Sequence, residues 1–228
     1  TLTPFSAREA YQELRSLSGE ERLTRMRDPA VRERILKSAN SDAAMDRLSP
    51  SRVRAITRWD RMYTFGPDAD YEPSEERCVV TIAAHSNRTV EEVAYDYLVE
   101  GLNRFLYCPV SNYVDGNLET TREMFLDPAT LSGLSDGGAH VGSVVDASMP
   151  TYLLTHWARD RTRGPKLPLE MVVRAQTSET ADFFGFTNRG RLAPGLRADV
   201  NVIDHDRLRI HAPHLVHDLP AGGKRLVQ

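Results

Sequence analysis

Apolar residues recur at helical spacing over much of this chain. The clearest run is Val90, Val93, Ala94, Tyr97 and Leu98, at i, i+3, i+4, i+7 and i+8, the stripe of an amphipathic helix. Thr89 with Glu92 forms a capping box ahead of it, and Gly101 ends it. Ser6 with Glu9 and Ser18 with Glu21 repeat the capping-box pattern, and Asp28-Pro29 reads as an N-cap followed by Pro at N1. The first fifty or so residues therefore predict consecutive short helices. Their apolar positions, Tyr11, Leu14, Leu23, Met26, Val31 and Ile35, lie sparsely among Arg and Glu, so this region is expected to be a peripheral insert and not a buried bundle.

Residues 53–65 carry a partly alternating pattern through Trp59, Met62, Tyr63 and Phe65 before Gly66-Pro67, which predicts a strand. Residues 104–110 are aromatic and β-branched enough for a second. After a loop with Asn112 and Asp115-Gly116-Asn117, a short helix is expected over 119–126 and a short strand over 131–134, delivering Ser135 and Asp136 at its end. Helix, strand, helix, strand is the order of a parallel α/β arrangement, whose active sites form at the carboxyl ends of the strands. Beyond it, helices are expected from Pro150, from Pro168 and over 178–184. The stretch 191–199 then reads as a turn feeding the alternating Val200-Asn201-Val202-Ile203-Asp204, and the tail at 226–228 as the start of another strand. We place a domain boundary near Gly190, giving 1–189 and 190–228.

Composition narrows the class. With 228 residues the chain is long enough to bury a sizeable core. A formal charge of -3 gives no basic field for nucleic acid, and no apolar run approaches the ~18 residues that a membrane span needs. Cys78 and Cys108 have no zinc-ribbon or disulfide-framework spacing, so a reducing, cytoplasmic compartment is expected. Thr1 follows no initiator Met or leader pattern, and the chain reads as beginning in the middle of something.

The stretch with the most chemistry is Leu134-Ser135-Asp136-Gly137-Gly138-Ala139-His140. A carboxylate on a glycine-flanked turn at a strand end is how barrel hydrolases place a general base. Gly137 and Gly138 permit a sharp turn, and Ser135 can hydrogen-bond nearby backbone to hold it. A Ser-Asp-Gly triplet alone is most often a surface turn.

Three blocks together alter that reading: 133–141 around the triplet, Gly190-Arg191-Leu192-Ala193-Pro194-Gly195-Leu196-Arg197-Ala198-Asp199 running on to Asp204, and His217-Asp218-Leu219-Pro220-Ala221-Gly222-Gly223. They resemble the C-terminal portion of the D-aminoacylase (N-acyl-D-amino-acid deacylase) group of the amidohydrolase superfamily, over roughly residues 79–228. The middle block is shared across most of the superfamily, whereas the first and last narrow the resemblance to this branch. The resemblance implies the C-terminal part of a metal-dependent-hydrolase (β/α)8 barrel with a helical insert at about 1–50, followed by strands of a small composite β-sandwich. It implies cleavage of the linear amide of N-acyl-D-amino acids by a metal-activated water, with zinc or another divalent metal as cofactor. Asp136 becomes the proton shuttle and a weak or secondary metal ligand, and Ser135, Gly137 and His140 line the substrate. A cyclic amidase of the dihydroorotase or hydantoinase kind, or a non-catalytic assembly module, remain alternatives.

The departures from the family matter equally. Its members carry a His-x-His after the first strand, a bridging Cys, Glu or modified Lys, and two later histidines, all before the Ser-Asp-Gly block. Here the only histidine before His140 is His85, at the end of an expected helix, and neither Cys78 nor Cys108 sits in a bridging position. The chain is therefore expected to be a fragment without the main metal ligands, inactive alone, whose partners are the absent N-terminal half of the barrel and possible further copies of itself. Other candidates have ordinary readings. His156 reads as packed or exposed beside Trp157. The set His205, His211, His214 and His217 is interrupted by Pro213 and reads as a solvated loop rather than a metal cluster. Asp199 and Asp204 read as turn residues. Arg159, Arg161 and Arg174 are open to a substrate carboxylate or to plain solvent.

Overall fold

The computed structural model describes residues 2–66, 69–109, 111–133, 135, 137–138, 141–142 and 144–228. The chain divides into two compact units, Thr1–Ser111 and Asn112–Gln228. The expected change of character near Gly190 falls within the second.

The first unit is helical: α1 (Glu9–Gln12), α2 (Gly19–Met26), α3 (Pro29–Lys37), α4 (Asp42–Met45), α5 (Pro50–Thr57), α6 (Val79–Ser86) and α7 (Val90–Leu98). Its local signals mostly act as expected. Ser18 with Glu21 and Thr89 with Glu92 form complete capping boxes, and Asp28 Oδ1 accepts from Ala30 N at 2.8 Å with Pro29 opening α3. Asn87, at φ 51°, closes α6 in the left-handed region. The Ser6–Glu9 box does not form. Ser6 Oγ is taken by Thr3 N at 2.8 Å, and α1 starts with no side-chain cap.

The first fifty residues are not a sparse periphery. Phe5, Tyr11, Leu14, Met26, Val31 and Ile35 are buried in one core with Val93, Ala94 and Tyr95. The Phe5 ring meets Tyr95 edge-on at 5.2 Å, and the Tyr95 hydroxyl donates to Met26 O at 2.9 Å. Few apolar positions suffice because the helices are short and each contributes one or two large side chains to a shared centre, at about 1.5–3 kcal/mol apiece. Arginines between them reach the rim, where Arg32 holds Asp96 through two bonds of 2.7 and 3.0 Å.

The strand expected over 53–65 is mostly helix. Ser49 caps it, its Oγ accepting from Arg52 N at 3.4 Å, and Pro50 opens α5. Only β1 (Tyr63–Thr64) is extended, paired antiparallel with β2 (Leu106–Tyr107).

The second unit holds α8 (Glu119–Leu126), α9 (Met149–Tyr152), α10 (Leu169–Gln176), α11 (Ser178–Phe183) and a hairpin of β3 (His214–Leu219) with β4 (Gly223–Val227). From Leu153 to Asp160 the helix widens into a π-helix, where Arg161 N reaches His156 O at 2.8 Å. Leu153, Trp157, Leu167 and Val172 form the core, and Phe125 meets Trp157 edge-on at 5.4 Å. The expected parallel order is not what pairs: both sheets among the described residues are two-stranded and antiparallel. Residues 131–133 and 200–204 form no strand. The alternation at 200–204 is real, but a strand needs a neighbour for its backbone groups, and none pairs with it among the described residues.

Candidate active site

Of the 134–140 block, Ser135, Gly137 and Gly138 are described, and Ser135 is bonded to the segment on its C-terminal side. Ser135 Oγ lies 3.1 Å from both Asp146 O and Ala147 O, so one hydroxyl proton is shared by two carbonyls of the single 3-10 turn Asp146–Ser148. The backbone that the Ser135 hydroxyl meets lies eleven and twelve residues on. An added Cβ at Gly137 would meet only Ala147 Cβ at 3.8 Å, an ordinary contact, so bulk alone does not require glycine there. Asp136 and His140, the proposed shuttle and its neighbour, lie outside the described residues.

Val141 O accepts from Leu226 N at 2.7 Å, and Ser148 Oγ donates to Gln228 Oε1 at 2.9 Å. Two bonds therefore tie the segment after the turn to β4 and its end. Between them opens a cleft of about 730 Å³, lined by Gly137 and Gly138 from the first block, by Asp218 and Leu219 from the last, and by Val141, Val144, Val145, Ala147, Ile210, Leu226 and Val227. The cleft is open to solvent, and its walls mix aliphatic side chains with Ser148, Thr151, Asp218, Arg225 and Gln228. Its charged residues pair with each other: Arg225 donates to both oxygens of Asp218 at 2.9 and 2.8 Å. Those bonds hold the Asp218 carboxyl below the usual carboxylate range.

The three arginines considered for substrate are engaged elsewhere. Arg161 is 2% exposed, lies 4.8 Å over the Trp157 ring, pairs with Glu119 at 3.1 Å and donates to Pro165 O at 2.8 Å. Arg159 binds Asp160 at 2.7 and 2.8 Å and the carbonyls of His205 and Leu208. Arg174 pairs with Glu179 at 2.6 Å. His156 stacks on Tyr152 with ring centres 4.6 Å apart, and His205 Nε2 lies 3.0 Å from Leu154 O. Asp204 Oδ1 accepts from Arg207 N at 3.2 Å across the turn at 205–207, and Asp199 pairs with Arg197 at 2.9 Å in irregular backbone.

No three His, Cys, Asp or Glu side chains stand together to hold a metal ion among the described residues. His85 is exposed at the end of α6. Cys78 is buried, its Sγ directed at Trp59 O and Asp60 O, and burial pushes the Cys108 thiol up. The described side chains do not fit a catalytic divalent metal, which needs three or more converging ligands. Sequence reasoning missed the cleft itself, because the contacts that build it span some eighty residues, Ser148 to Gln228 being one.

No helix among the described residues is long and apolar enough to cross a membrane. Comparison with curated proteins and with solved structures finds no match for this chain. The model of the Amidohydrolase family matches residues 96–226, a span that holds the glycine-flanked turn, the shared superfamily block and the Asp218 block. That match covers more than half of the 228 residues, and the chain belongs to the amidohydrolase family.

Proposed function

We propose that this hydrolase-family chain carries the proton-transfer part of an N-acyl-D-amino-acid deacylase. Membership implies a hydrolase on a barrel-type fold in a family whose members typically use a divalent metal. The observation that carries the narrower reading is the cleft, where Gly137 and Gly138 of one branch-specific block face the same space as Asp218 and Leu219 of the other. Two blocks some eighty residues apart in sequence thus line one cleft, which supports their belonging to a shared site.

In this reading the Asp136 carboxylate accepts a proton as water adds to the amide carbonyl, then returns it to the departing amine nitrogen as the C–N bond breaks. Ser135, Gly137 and His140 adjoin the substrate. The zinc that the resemblance implies finds no ligand set among the described residues, so no step is derived through it. In this reading its ligands lie on residues other than those described, and the chain alone is expected not to turn substrate over.

The test is a substrate panel run on the chain alone and on the longest parent polypeptide, with metal content measured on both. Hydrolysis of N-acetyl-D-amino acids by the parent, with little on L-isomers or cyclic ureides, is expected. Preference for cyclic ureides would assign the cyclic-amidase alternative. Stoichiometric zinc and turnover in the chain alone would overturn the fragment reading.

A further inference from the structure

We infer that the helix over 153–160 is a register switch, and that the turn at 204–208 is the strap that holds it in its wide form. The inference does not rest on the deacylase reading. An α-helix bonds each amide to the carbonyl four residues back, and a wider register persists only where something outside the helix favours it. Here three carbonyls, each three residues from the next, are engaged from outside the α pattern: Thr151 O accepts from the Thr155 hydroxyl at 2.9 Å, Leu154 O meets His205 Nε2 at 3.0 Å, and Trp157 O accepts from Leu167 N at 2.8 Å. A carbonyl can only accept, so Nε2 is a protonated nitrogen of His205.

In an α register those carbonyls would serve Thr155 N, Ala158 N and Arg161 N. Arg161 N has gone instead to His156 O, five residues back, at 2.8 Å. The bonds at this end are therefore linked. Returning Arg161 N to Trp157 O brings a second donor to the carbonyl that Leu167 N now holds, and Leu167 is a core residue immediately before the Pro168 that opens α10.

The strap grips both ends of the wide segment. His205 bonds its first turn at Leu154. From its last turn, Arg159 donates to the carbonyls of His205 and Leu208, its guanidinium fixed by two bonds to Asp160 at 2.7 and 2.8 Å. The strap is closed on itself, since Arg207 N and Leu208 N both return to Asp204 O, at 3.2 and 2.9 Å. It leads on toward β3, whereas the helix it holds grows out of the Asp146–Ser148 turn that Ser135 meets. The position of the strap thus biases the register, and with it the support of that turn.

The experiment reads the register directly, from scalar couplings across hydrogen bonds between amide nitrogen and carbonyl carbon in the isotope-labelled 228-residue chain. The native chain is expected to couple Arg161 N to the His156 carbonyl and Leu167 N to the Trp157 carbonyl. Arg159→Ala with His205→Ala removes the strap's grip. In that variant the Arg161 coupling is expected to move to the Trp157 carbonyl, with the Leu167 amide exchanging about tenfold faster or more. Arg174→Ala, which breaks an exposed pair with Glu179 in the neighbouring helices, is expected to leave both couplings in place. A native coupling of Arg161 N to the Trp157 carbonyl overturns the inference, and so does a double variant that keeps the native couplings.

Amide exchange in the unaltered chain decides the matter should the double variant unfold. In mild denaturant the Leu167 and Leu208 amides are expected to open together, ahead of Val172, whose amide bonds Pro168 O at 3.1 Å at the start of α10. Leu167 exchanging in step with Val172, in one opening of the whole unit, overturns the switch.

Discussion

Asp136 and Arg161 are two charged residues whose legibility in the sequence is opposite. Asp136 stands out through its block, and in the metal-loaded parent enzyme Asp136→Ala is expected to lower turnover at least ~10²-fold with metal content nearly unchanged. Loss of metal, or retained turnover, would count against proton transfer. Arg161 looks like any helix-end arginine, yet it is 2% exposed, stacked on Trp157 and paired with Glu119. Nothing local announces this, because its carboxylate partner is 42 residues away. Arg161→Ala removes the stack, the ion pair and the bond to Pro165 O at once, and is expected to cost about 2–4 kcal/mol in urea unfolding of the second unit. Arg161→Lys keeps the charge but loses the planar fork, and should recover less than half of that. A loss below about 1 kcal/mol for the alanine variant would mean that the burial is energetically idle. In the first unit, Tyr95→Phe leaves Met26 O without its buried donor and is expected to cost about 1–2 kcal/mol by the same measurement.

Elements were legible where their signals are local and illegible where they depend on a distant partner. The Thr89–Glu92 box set the start of α7 correctly because cap and helix lie within four residues; Thr89→Ala should cost about 1 kcal/mol. Ser49-Pro50 was the same kind of signal, but the alternation through Trp59 to Phe65 drew the reading toward a strand, and the cap prevailed up to Thr57. The hairpin illustrates the other case. Its tail reads as the start of a strand, whereas Leu226 and Val227 end β4, and the register was not legible: Leu215 pairs with Leu226, and a bulge between Val216 and Leu219 that no pattern shows shifts the rest. The same hairpin has a pH signature. Arg225 holds the Asp218 carboxyl below its ordinary value, so the native state favours the ionised form and the contribution is fully present above about pH 4. It is lost as pH falls through the lowered value. The Leu215–Leu226 cross-strand NOE should therefore weaken below about pH 4 and at no higher pH, and Asp218→Asn should remove the step. A step near neutral pH would point to a different group.

For the whole molecule, the informative feature is what stays uncovered. Phe183, Phe184 and Phe186 are 71%, 62% and 50% exposed, and Leu192, Val200, Val202 and Ile203 continue the same stretch, with Val202 at 97%. Phe183 and Phe184 contact each other edge-on at 5.1 Å without being drawn inside. A run this apolar and this exposed is unusual for a monomer in water, and the backbone at 200–203, unpaired among the described residues, adds a ready template for another strand. The alternation at 200–204 predicts a strand that does not form, and no neighbour pairs with it among the described residues. We therefore expect the chain to self-associate, with a sedimentation coefficient that climbs with protein concentration through the micromolar range. Val200→Lys with Val202→Lys places charges on the edge, the device by which natural sheets avoid such pairing. That double variant should remain monomeric across the same range with its far-UV spectrum unchanged. A native chain that stays monomeric throughout, or a variant that assembles as readily, would show that this surface is not what joins one copy to another.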